Sequence, residues 1–235
     1  MAYLPLNAAN AANAVNAANA ANAAGAASAL FLLSSALVLG FLHGLGGDHL
    51  MAIAALSVDG AADDSPATRR GRALRVATRF ALGHALLLGC GASLVVLIGW
   101  SIPAHVERGG EMLGGALLIV MGLVTLQHVR THTHAGSAHH HSHLPTMIGA
   151  AFAVSSLRAV VMLTPFGKDV GAQPLPLLLA LIGVFALGIL ASMSLFGVVL
   201  AGVLSTRALQ RVGHGAGALV GLSSIMLGIA WVATA

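Results

Sequence analysis

Apolar positions in this chain neither alternate nor form narrow stripes. They run on for about twenty residues at a time, and short polar segments separate the runs. Transmembrane β-strands would show alternating segments of about ten residues, whereas continuous Leu/Ala/Val/Gly stretches are the pattern of helices that cross a bilayer in about 20 residues. The runs predict spans over Ala27–Ser57, Ala77–Trp100, Met112–Gln127, Thr146–Phe166, Leu175–Val203 and Ala216–Ala233. Connectors are expected over Asp59–Arg75, Ser101–Glu111, His128–Pro145, Gly167–Pro174 and Ser205–Gly215. The fold class expected is all-α: a polytopic transmembrane bundle of about six spans, with residues 26–235 forming one domain.

Two segments depart from this regularity. Asn7, Asn10, Asn13, Asn16, Asn19 and Asn22 recur every third residue in an alanine background. A step of three drifts by about 60° around a helix and builds no fixed polar face. Alanine favours helix, but residues 1–25 read as a low-complexity tail rather than a helical lead-in. The first apolar run is too long: its 31 residues would reach about 46 Å as one helix, against a hydrocarbon core of about 30 Å. It also holds Gly40, Gly44, Gly46 and Gly47 beside His43, Asp48 and His49. A break at Gly44–Gly47 would account for both features.

Composition agrees with a lipid solvent. Of 235 residues, 57% are hydrophobic and 8% charged, where soluble domains carry roughly a quarter charged; the mean hydropathy is +0.90. The pI of 10.6 raises nucleic acid as a partner, but ten scattered Arg and one Lys, with no basic helix carrying interleaved aromatics, argue against it. These charges are better read as setting topology. Seven fall in the first, third and fifth connectors and two, Arg108 and Lys168, in the second and fourth. That places the odd connectors in the cytoplasm and both termini outside. Cys90 is single and has no internal disulfide partner. The segment before the first apolar run has no Lys or Arg, so no signal peptide is expected.

Candidate chemistry gathers in His43-Gly-Leu-Gly-Gly-Asp48-His49. Ionisable residues within a span are costly and mark pathways or sites. On an unbroken helix His43 and His49 would lie about 240° apart, so convergence requires unwinding at the glycines, as in the broken helices of transporters. Imidazoles with one carboxylate suit nickel, cobalt, copper or zinc, whereas magnesium and calcium call for more oxygen ligands. His84, inside the second span, is a fourth candidate, as a metal ligand or as a residue hydrogen-bonded across the bundle. His128, His132, His134, His139, His140, His141 and His143 crowd one connector and form a candidate capture loop for late transition metals. Arg158 falls within the fourth span beside Ser155 and Ser156, where a charge needs an interior partner. Asp48 is the candidate partner. Met193 and Ser194 are further residues that could line a pathway, although Met more often serves in packing.

His-x4-Asp-His inside a span resembles the signature of the nickel/cobalt transporter family. The match runs through Gly-Phe-Leu-His-Gly-Leu-Gly-Gly-Asp-His-Leu-Met-Ala-Ile, Gly40 to Ile53. Phe80-Ala-Leu-Gly-His84-Ala is similar to the family's second motif, and the His-rich connector resembles that of the nickel/cobalt efflux branch. The compact six-span layout is similar to urease-accessory-type membrane proteins. The resemblance implies metal recognition by His43, Asp48 and His49, with His84 contributing. It also implies a multi-pass protein of the bacterial inner membrane whose cargo is nickel or cobalt, with metal-delivery or metalloenzyme-maturation proteins as partners.

The function expected is therefore transport rather than catalysis, with no resident cofactor. Proton coupling is plausible because imidazole and carboxylate must be deprotonated to bind. No Gly-x4-Gly-Lys-Ser/Thr loop is present to bind a nucleotide. A His-rich cytoplasmic loop favours export over uptake. One alternative is an exporter of small anions or sulfur compounds anchored by Arg158. A less favoured one is an intramembrane metalloenzyme, which lacks both His-Glu-x-x-His and any Glu within a span to serve as base.

Overall fold

The structure, a computed structural model, describes residues 5–58, 65–98, 103–131, 143–156, 175–204 and 207–234. Among these the chain is entirely helical: α1 (Pro5–Gly44), α2 (Gly47–Val58), α3 (Pro66–Ile98), α4 (Ala104–Thr131), α5 (Leu144–Ser155), α6 (Leu175–Leu204) and α7 (Arg207–Thr234). Five helices are long and apolar enough to cross a membrane, over Asn13–Gly44, Ala67–Val95, Ala104–Arg130, Leu175–Val203 and Gly215–Thr234. The two others, α2 and α5, have 12 residues each, about 18 Å of helix, which is well short of the hydrocarbon core. The expected fourth span, Thr146–Phe166, is thus seen as helix to Ser155, and its residues 157–166 lie outside the described part.

Several helices outrun the apolar segments that predict them. α3 begins at Pro66, inside the expected connector Asp59–Arg75. Ser65 caps it: its Oγ accepts the Thr68 N–H at 3.2 Å and lies 2.9 Å from the Thr68 hydroxyl. Proline follows at the first helical position, where its missing N–H costs nothing. The arginines read as loop charge are good helix formers, so they ride on the first turns of α3. Likewise α7 starts at Arg207, inside the expected connector Ser205–Gly215. The Asn/Ala repeat is also helical, continuous with α1 from Pro5. Residues 13–28 are nonetheless exposed, since asparagines scattered around the helix leave no face to pack.

Burial is inverted relative to a water-soluble protein. Leu30, Leu86, Leu97, Leu195, Leu219 and Met226 point outward, while the interior is rich in Ala and Ser with a few large side chains such as Phe80, Phe152 and Ile53. Lipid tails are as apolar as leucine, so helices associate through close packing of small residues rather than through expulsion of water. The closest pairs are α1 with α6, α3 with α5 and α6, and α4 with α7. At the α3–α5 crossing the backbones touch reciprocally. A Cβ on Gly83 would strike the Thr146 carbonyl, and one on Gly149 the Phe80 carbonyl.

The short α2 occupies the middle, packed on α3, α4, α6 and α7. Ala52, Ile53, Ala54, Ala55 and Ser57 are all buried, and a helix apolar on every side belongs in the interior. The Ser57 hydroxyl is satisfied by the Ile53 carbonyl at 2.7 Å. The polar first turn of α2, Gly47-Asp48-His49, begins exposed at Gly47 and carries Asp48 and His49 into the interior.

Candidate metal site

The overlong first run is divided at Leu45 and Gly46, the residues between α1 and α2. Tight i→i−3 bonds close α1: the Leu45 N–H donates to the Leu42 carbonyl at 3.2 Å and the Gly46 N–H to the His43 carbonyl at 2.9 Å. The first turn of α2 then forms with the Leu50 N–H donating to Gly46 at 3.1 Å. His43 therefore stands on the last turn of one helix, and Asp48 and His49 on the first turn of the next. The imidazoles of His43 and His49 meet with ring centroids 5.0 Å apart. His84 joins them from near the middle of the Ala67–Val95 span, 4.6 Å from His49 and 5.8 Å from His43 between centroids. One ring nitrogen from each of the three lies within 4.8 Å of the others.

The surroundings orient these rings. His84 Nδ1 donates to the Gly149 carbonyl at 3.2 Å, which fixes the tautomer and leaves the Nε2 lone pair free. That Nε2, and Nε2 of His43, are buried without a hydrogen-bond partner among the described residues. An unsatisfied buried polar atom costs about 1–3 kcal/mol, and a bound cation would relieve it at both.

The sequence places Asp48 among the metal ligands. In the structure its buried carboxylate is instead turned to His49, with Oδ1 2.9 Å from Nδ1 and outside the three-nitrogen group. The distance is that of an ion pair, although the N–H is not aligned for a hydrogen bond. A carboxylate beside Nδ1 favours the proton there and leaves Nε2 as the donor to a metal, the carboxylate–histidine arrangement that supports many metal sites. Gly46 makes the pairing possible: a Cβ there would lie 2.7 Å from Asp48 Oδ1 and 2.9 Å from His49 Nδ1.

Each imidazole is backed by a phenylalanine. Phe185 stacks on His43 at 5.8 Å, Phe80 on His84 at 6.3 Å, and Phe152 lies 6.2 Å from His49. His84 and Phe80 are fully buried and His49 almost so. His43 is half-buried, so His49 and His84 lie in the less polar part of the cluster, where electrostatic interactions are stronger than in water.

The other candidates divide. Ser156, at the C-terminal end of α5, faces the cluster, with Oγ 3.3 Å from His49 Nε2. Ser155 faces away, bonded to the Phe152 carbonyl at 2.7 Å and packed on Gly114 of α4. Met193 is fully buried in the apolar core. His128 is in the last turn of α4 and His143 is exposed just before α5. His132, His134, His139, His140, His141 and Arg158 lie outside the described residues. Sequence reading missed the Gly149 carbonyl and the phenylalanine backing. A backbone carbonyl carries no residue signal, and Phe152 and Phe185 look like ordinary span residues until the helices are packed.

Fold and cluster together define the class: a helical chain with five helices of membrane-crossing length and apolarity, built around a buried group of three histidines. No protein-family model, curated protein or solved structure matches the chain.

Proposed function

We propose that this protein is a membrane permease for a divalent transition-metal ion, nickel or cobalt, of the kind its His-x4-Asp-His motif resembles, and that it works in export. The observation that carries the reading is the convergence of His43, His49 and His84 at a helix break inside the apolar bundle, with imidazole nitrogens buried and unpartnered among the described residues. Unpartnered polar atoms in such a place carry a cost, and three imidazoles are the donor set of late first-row metals rather than of magnesium or calcium.

In this mechanism the ion sheds its water at the break between α1 and α2 and binds the three Nε2 atoms. Asp48 supplies a negative charge from behind His49. Rocking of the surrounding helices then opens the site to the other face, as in transporters whose sites lie at discontinuous helices. Binding displaces protons from imidazole, which offers a route to proton coupling. The histidines of 128–143 gather ion on the cytoplasmic side, consistent with the Lys/Arg asymmetry of the connectors.

The test is metal content of cells expressing the wild type, His49→Ala or neither, measured at several external nickel and cobalt concentrations. Wild type should lower intracellular nickel or cobalt and His49→Ala should not; a rise with wild type would assign uptake instead. Equal metal content in all three strains would refute transport by this site.

A further inference from the structure

Ser156 has a position that neither the motif nor the helix pattern assigns. Its Oγ lies 3.3 Å from His49 Nε2 and also donates to the Phe152 carbonyl at 3.1 Å. The hydroxyl has one proton and two acceptors in reach, His49 Nε2 and the carbonyl four residues earlier, and that carbonyl already accepts from Ser155 Oγ at 2.7 Å. In either case its oxygen faces His49. With Asp48 drawing the imidazole proton to Nδ1, His49 Nε2 presents a lone pair, and it accepts the Ser156 proton when that proton turns away from the carbonyl.

A cation can take the place of that proton between the two atoms. The separation of 3.3 Å is that of two ligands on a tetrahedral ion with bonds of about 2.0–2.1 Å. Ser156 is 5% exposed, so its oxygen faces the interior of the bundle. Resting on the permease reading, we propose that the Ser156 hydroxyl is the fourth ligand of the transported ion, completing the tripod of His43, His49 and His84.

The choice of oxygen has a functional logic. A carrier must bind strongly enough to strip water from the ion and weakly enough to release it. Three imidazoles give affinity for nickel and cobalt, and a neutral hydroxyl adds a fourth contact without a further charge. A thiolate at the same place would hold soft ions far longer. Ser156 also terminates α5, whose Gly149 carbonyl orients His84, so movement of this one helix would alter two of the four contacts together.

The experiment is cobalt titration of purified full-length protein in detergent, followed by absorption spectroscopy. It is done in a Cys90→Ala background, because Cys90 is the chain's single cysteine. Ser156→Cys should add a thiolate-to-cobalt charge-transfer band in the near ultraviolet and slow metal release. Ser156→Thr should keep the parent spectrum, and Ser156→Ala should change the d–d bands as water takes the fourth place. If the parent binds cobalt in a His84-dependent way while Ser156→Cys gives no thiolate band, Ser156 is not a ligand and the permease reading survives. If Ser156→Cys does not yield folded protein, an unchanged d–d spectrum in Ser156→Ala overturns the proposal by itself. Absence of cobalt binding by the parent removes both.

Discussion

Replacing Asp48 by asparagine separates two roles that the motif alone cannot distinguish. With Oδ1 2.9 Å from His49 Nδ1, the carboxylate lies about 7 Å from an ion held on Nε2 at an ordinary bond length. Charges of +2 and −1 at that distance attract by about 5 kcal/mol at an effective dielectric of about 20. Desolvation of the buried carboxylate offsets part of this gain. Outer carboxylates behind a metal-bound histidine contribute about 10–100-fold to affinity, or roughly 1.4–2.7 kcal/mol. The Asp48→Asn side chain would keep an acceptor for the imidazole N–H but lose the charge, so nickel affinity should fall within that range. Isothermal titration of nickel into the purified protein, with His84→Ala alongside, measures it. His84→Ala removes a ligand and should cost more than Asp48→Asn. Equal losses would mean that Asp48 binds the ion directly, and an unchanged affinity would mean that its charge is irrelevant. Either result refutes the role of Asp48 as a charge acting through His49.

Two glycine substitutions test the backbone that builds the site. Gly46→Ala would drive a methyl group to within 2.7 Å of Asp48 Oδ1 and 2.9 Å of His49 Nδ1. Metal binding should fall at least as far as in Asp48→Asn with helix content unchanged by circular dichroism; normal binding would show that the pair tolerates separation. Gly149→Ala would push a methyl group into the Phe80 carbonyl, whereas Gly91→Ala, on the same α3 as Phe80, meets nothing. The first should lower the unfolding temperature in detergent and weaken metal binding, because His84 loses its orienting carbonyl. The second should leave binding intact and match or raise stability by up to about 1 kcal/mol, the helix-propensity difference; similar losses in both would refute the close-approach account.

Much of the architecture could be read before any coordinates. Continuous apolar runs establish helices of membrane length, because backbone polar groups in lipid must be satisfied within the segment itself. The excess length of Ala27–Ser57 and its glycines announce a break, and the break falls at Leu45 and Gly46. His43, Asp48, His49 and His84 stand out for a related reason: so few ionisable groups occur in apolar runs that each one demands an explanation.

Element boundaries were less legible. Hydropathy reports where lipid contacts the chain, not where a helix stops. Arg69–Arg75 and Arg207–Gly215 therefore look like loop although α3 and α7 run through them. The Asn/Ala segment illustrates the converse: propensity makes it helix, and lack of an apolar face leaves residues 13–28 outside the bundle.

Tertiary structure alone decided which atoms of the candidate site come together. Sequence spacing groups Asp48 with the ligands because it neighbours His49, but the turn at Gly46 directs the carboxylate to the back of that imidazole. His84 is 35 residues from His49 and Ser156 is 107. What unites them is contact between α3 and α5 at Gly83 and Gly149, a meeting of two backbones that depends on the absence of side chains. Local pattern determines which segments are helical and which residues are chemically out of place. Which atoms of those residues face one another depends on how helices distant in sequence cross, and that follows from packing rather than from period or composition.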